Sequence, residues 1–141
     1  MMRDQDTRFF TVEEANSALP LVSRIMADIV EENGRLQELL PALKEARMQA
    51  RRNPNMVDEL EGLRNDVASI SARLEGYLAE LSRIGCVFKG PQGLVDFYSM
   101  RNGKPVFLCW RYGEDEIRYW HELDSGFAGR TELEPAATTS P

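Results

Sequence analysis

The residues whose types suggest chemistry lie in the last third of the chain. His121, Asp96 and Glu116 are an imidazole and two carboxylates, the set that holds a divalent metal in facial-triad sites. Glu114, Asp115, Glu122 and Asp124 thicken the acidic surroundings. The chain has one histidine and no ligand spacing of the H-E-x-x-H kind. The plainer reading therefore weighs more: an imidazole donating to a backbone carbonyl beside a solvated acidic loop. A divalent metal is admitted but not favoured, and the cofactor is otherwise unknown.

Arg111, Arg118 and Arg130 offer planar guanidinium forks suited to carboxylate or phosphate. With Asp96 and Trp120 they make a candidate ligand-binding set. The structural alternative pairs Arg111 with Asp96 and Arg130 with the acidic loop. Nucleophilic catalysis finds little support. Cys86 and Cys109 form no CxxC, Cys109 has no histidine across its own hairpin, and no G-x-S-x-G occurs. Gly126-Phe127-Ala128-Gly129-Arg130 lacks the Lys-Ser/Thr ending of a phosphate loop; its glycines suit a tight loop in which Phe127 plugs the core. No catalytic residue can be named, and the balance leans away from an enzyme.

Strands must position these groups. Asn102-Gly103 between two β-rich runs, 94–100 and 105–112, is a strong hairpin signal. Pairing Arg101 with Lys104 sets Asp96 opposite Cys109, Phe97 opposite Leu108 and Val95 opposite Trp110. One face is then wholly apolar: Val95, Phe97, Val106, Leu108 and Trp110. The other carries Leu94, Asp96, Tyr98, Phe107, Cys109 and Arg111, with Asp96 and Arg111 as diagonal neighbours. Residues 86–88 and 117–123 read as further strands. Pairing Tyr112 with Ile117 would put Arg118, Trp120 and Glu122 on the mixed face and His121 on the apolar one; a one-residue slip would exchange them.

The strands in turn rest on helices. Thr11 and Glu14 form a capping box, with Phe10 as staple. Pro20 is expected to kink the helix or begin a second one, and Pro41 to bend it again. A heptad-like seam runs through Val22, Ile29, Leu36, Leu43 and Ala50, with Ile25, Glu32, Leu39 and Ala46 beside it; only Glu32 breaks the apolar rule. Asn53-Pro54-Asn55 makes the turn. The second helix repeats Leu60, Val67, Leu74 and Leu81 with Leu63, Ile70, Tyr77 and Ile84, and Gly85 ends it.

The fold class is thus α+β: a long antiparallel helical hairpin, coiled-coil-like, followed by a small three- or four-stranded antiparallel β-sheet. Residues 9–133 form one domain, with 9–85 the hairpin and 86–133 the sheet and loop. Segments 1–8 and 134–141 have the composition of a flexible N-terminus and a disordered tail. A hairpin this long carries more apolar edge than a short sheet can cover, which points to a homodimer through the helices.

Composition sets outer limits. The chain has 141 residues, 23 acidic against 17 basic, for a net charge of -6. That balance argues against nucleic acid as partner. No segment is long and apolar enough for a membrane span, and no secretory leader is evident, so a cytoplasmic location is expected.

F-T-V-E-E-A-N-S-A-L-P-L-V near the start, and G-L-V-D-F with V-F-L-C-W-R-Y-G-E-D-E-I-R-Y-W-H-E-L-D-S-G-F-A-G-R near the end, resemble the bacterial family known as domain of unknown function 2203. The resemblance runs from Phe9 to Arg130. It implies a small bacterial cytoplasmic protein without an established activity. Residues and resemblance together suggest a non-enzymatic binding or assembly module acting as a homodimer. The alternative is a metal- or small-ligand-dependent enzyme with its site on the sheet.

Overall fold

The computed structural model describes residues 7–134. The expectations for 1–6 and 135–141 lie outside the described residues. Two helices, α1 (Val12–Ala50) and α2 (Val57–Ile84), pack antiparallel. Five strands follow: β1 (Val87–Phe88), β2 (Leu94–Arg101), β3 (Lys104–Arg111), β4 (Tyr119–His121) and β5 (Thr131–Glu132). They form one antiparallel sheet in chain order. The α+β class stands. The fifth strand is a polar pair of residues with no alternation to announce it; it forms because Tyr119 and Trp120 offer a free edge.

α1 begins at the Thr11 capping box, in which the Thr11 hydroxyl accepts from the Glu14 amide and the Glu14 carboxylate accepts from the Thr11 amide. The helix then runs unbroken through Pro20 and Pro41, so Pro20 does not begin a second helix. Both prolines are exposed, so the carbonyl each leaves without its amide partner can bond to water instead. Asn53 accepts from the Asn55 amide to shape the turn, and Gly85 ends α2 at a φ of 105°. Arg8 donates to the carbonyl of Ile84, placing a cation at the α2 C-terminus.

Every residue of the two expected seams is buried or half-buried. The first turns of α1, from Ala15 to Ile29, pack on the apolar face of the sheet, around Trp110, Phe97, Val95 and Leu108. A second small core, Leu43, Ala46 and Leu60, closes the far end of the hairpin.

Between the two cores lies Glu32, the one seam position that is not apolar. Its carboxylate accepts from Arg73 Nε of α2 at 2.9 Å and from Arg35 at 3.3 Å. The Arg73 hydrogen bond, followed by the charges of Arg73 and Arg35, holds the Glu32 carboxyl below the ordinary glutamate value despite its burial. A depressed carboxyl stabilises the fold above its unfolded pKa, about 4.3, and that contribution is lost as pH falls through the folded value. Glu32→Gln mimics the protonated state. The difference in melting temperature between wild type and Glu32→Gln should therefore be largest near neutrality and close below about pH 4. Thermal melts across that range check this; a pH-independent difference would remove the electrostatic account.

Candidate functional site

The Asn102-Gly103 hairpin has the expected register, with both turn residues at positive φ. Asp96 therefore stands opposite Cys109, and Val95, Phe97, Val106, Leu108 and Trp110 are all buried on the core side.

β4 is shifted by one residue from the Tyr112–Ile117 register. It pairs Phe107 with His121, Leu108 with Trp120 and Cys109 with Tyr119. The cause lies in segment 112–118. Ile117 is buried in the core, and its amide donates to Asn16 Oδ1 of α1 at 2.7 Å. Trp110 Nε1 donates to the Glu114 carbonyl, and Glu114 folds back to accept from the Arg111 amide. The loop is fastened to the helix rather than to Tyr112, and every β4 side chain changes face.

Trp120 consequently lies on the core side, half-buried, with the Arg101 guanidinium 4.7 Å from its ring centroid. It is not on the face of Asp96 and Arg111. Arg118 pairs with Asp115 and Glu116 on the exposed loop. Arg111 lies over the Phe127 ring, so the diagonal Asp96–Arg111 pair does not form. Arg130 does meet the acidic loop: it binds Glu114 at 2.6 Å and stacks on Tyr119 and Phe127. Phe127 is half-buried against these arginines and does not plug the core. Of the five proposed ligand-binding residues, Asp96 and Arg130 flank the Cys109 sulfur, and Arg111 and Arg130 share the Phe127 ring and the Glu114 carboxylate.

The proposed metal set divides differently. Asp96 and His121 come together, while Glu116 stays with Arg118. Cys109 takes the third corner. The donor atoms of Asp96, Cys109 and His121 all lie within 4.8 Å of one another, from three adjacent strands. They line a pocket of about 180 Å³ with Lys89, Leu94, Gly126 and Phe127. Lys89 Nζ sits 3.1 Å from Asp96 Oδ2 and over the Phe107 ring. A larger hollow, about 560 Å³, lies between the start of α1 and the β4–β5 edge. Its two arginines, Arg101 and Arg118, are already paired with Glu134, Asp115 and Glu116.

Hydrogen bonding orders the small pocket. His121 Nδ1 lies 2.8 Å from the Glu122 carbonyl, which can only accept, so Nδ1 carries the hydrogen. That leaves the Nε2 lone pair aimed at Asp96 Oδ2, 3.1 Å away. Two acceptors at that separation need a proton or a cation between them. Burial pushes the Cys109 thiol up to about 11, the Asp96 charge adding to it. A thiol so raised is protonated at neutral pH and is a poor nucleophile.

Lys89 and Cys109 were missed as partners in the sequence. Asp96 opposite Cys109 was visible from the hairpin; what was missing was the third strand's register.

The chain belongs to the family described as "Uncharacterized conserved protein (DUF2203)", whose profile matches residues 8–133. No curated protein and no solved structure matches it significantly.

Proposed function

We propose that this member of the family is a non-enzymatic binding or assembly module that works as a homodimer in the bacterial cytoplasm. The carrying observation is the uneven cover along the hairpin. α1 is 39 residues, about 58 Å at 1.5 Å per residue. The sheet covers only its first half. Beyond Glu32 the seam residues Leu36 and Leu39 stay half-buried, and Leu40 is 42% exposed. Leu78 on α2 and Met48 near the tip are exposed as well.

A second copy is the occupant that the charge pattern favours. From Asp28 on, α1 carries Asp28, Glu31, Glu32 and Glu38 against Arg35 before Leu40, and Lys44 and Arg47 against Glu45 after it, with Arg51 and Arg52 just beyond its end. Two copies crossing antiparallel near Leu40 set acidic and basic stretches side by side, the self-complementary arrangement of a twofold interface. The acidic balance of the chain and its two buried free thiols accord with a reducing compartment and a partner other than nucleic acid.

Sedimentation equilibrium tests the reading. The wild type should be a dimer at micromolar concentration. Leu40→Lys should be a folded monomer, because Leu40 contributes little to the protomer's own core. A wild type that stays monomeric at every concentration ends the proposal. So does a Leu40→Lys variant as dimeric as the wild type.

The alternative, a metal- or ligand-dependent role for the sheet, is favoured by the pocket of Asp96, Cys109 and His121.

A further inference from the structure

We infer that Asp96, Cys109 and His121 form a binding site for a divalent transition metal of borderline softness, Zn²⁺ foremost, with one coordination position open to the pocket. The inference does not depend on the homodimer.

Three observations converge on it. First, the donor set is one imidazole nitrogen, one thiol sulfur and one carboxylate, a mixture zinc accepts. Bonds of about 2.0–2.3 Å in a tetrahedron put donors about 3.3–3.8 Å apart. The three atoms lie within 4.8 Å of one another; the wider gaps must close while the 3.1 Å His121–Asp96 contact opens slightly. Second, the imidazole is set for a metal. Its Nδ1 hydrogen is tied to the Glu122 carbonyl, which fixes the tautomer and presents the Nε2 lone pair inward, as the outer partners of metal-binding histidines do. Third, the buried carboxylate already attracts a cation. Lys89 reaches from the edge of the sheet to Asp96 Oδ2 and rests on the Phe107 face.

Two positive groups oppose a dication, and their situations differ. Arg130 is neutralised by Glu114 and clamped between Tyr119 and Phe127. Lys89 sits on a flexible, partly exposed stem and can swing to solvent. Binding is an exchange without redox change. The ion enters as a dication, the Cys109 thiol proton and any proton held between His121 and Asp96 leave to water, and the Lys89 ammonium moves away. The pocket of about 180 Å³ beyond the donors leaves room for a water or a small anion on the fourth position.

The full chain, stripped with chelator, should bind one equivalent of Co²⁺ as a spectroscopic stand-in for Zn²⁺. Thiolate-to-cobalt charge-transfer absorption should appear with the strong visible bands of four-coordinate cobalt, and Zn²⁺ should displace both. Cys109→Ser should abolish the charge-transfer band. His121→Gln should weaken binding by at least about 100-fold, beyond the 10- to 100-fold typical of losing an outer partner. Lys89→Ala should bind about tenfold more tightly, the order expected when one nearby positive charge is removed. Lys89 is partly exposed, so this variant stays informative if a core substitution unfolds the protein. Absence of saturable uptake by the wild type overturns the site. Uptake without a thiolate band, or unchanged by His121→Gln and Lys89→Ala, overturns it equally.

Discussion

Trp110→Ala should lower the unfolding free energy by about 3–5 kcal/mol, the range for emptying a fully buried aromatic position. Trp110 is 0% exposed and sits where the sheet's apolar face meets the first turns of α1. A domain of this size has about 5–15 kcal/mol in all, so about a fifth or more of its stability would go. The ring also anchors the β3–β4 loop, through Nε1 and the Glu114 carbonyl at 3.0 Å. Trp110→Phe separates the two contributions: it keeps most of the packing but leaves that carbonyl without its donor, and should cost about 1–3 kcal/mol. Chemical denaturation of both variants measures this. A loss below about 1 kcal/mol for Trp110→Ala would mean that the helices and sheet are not held together at this point.

Gly93→Ala should cost about 2–5 kcal/mol, from backbone strain and overpacking together. Gly93 has a φ of 107°, and its carbonyl accepts from the Tyr112 amide, extending the β2–β3 ladder by one step. A Cβ built there would lie 2.6 Å from Tyr112 Cβ, closer than real contacts allow. Tyr112 cannot yield without moving the end of β3, and with it the fastening of Arg111 to Glu114. Gly103→Ala supplies the comparison. It too has a positive φ, 79°, but open space around the added carbon. It should lose only the strain, about 1–2 kcal/mol. Equal losses at the two positions would refute the steric account of Gly93.

Much of the architecture was legible because it depends on local periodicity. The seven-residue repeats of Leu60, Val67, Leu74 and Leu81 and the Thr11–Glu14 box define α2 and the start of α1 with no knowledge of the rest. Asn102-Gly103 sets the β2–β3 register for the same reason: a two-residue turn leaves no freedom in how its strands align. Pro20 begins no second helix, because a proline's local effect depends on its surroundings. On the solvent face of a long helix, the carbonyl it orphans has water to bond.

The site was half legible. Asp96 opposite Cys109 follows from the hairpin alone. Whether His121 or Trp120 joins them depends on β4, which follows a loop long enough to admit either alignment. That choice is made by residues remote in sequence: Asn16 of α1 holding the Ile117 amide, and Trp110 holding the Glu114 carbonyl. The sequence by itself determined the elements, their caps and the one tight register, since those interactions act between near neighbours. Only the tertiary structure decided which face His121 occupies. Side chains alternate faces at every residue of a strand, so one long-range hydrogen bond to a helix is enough to move the imidazole from the core to the pocket.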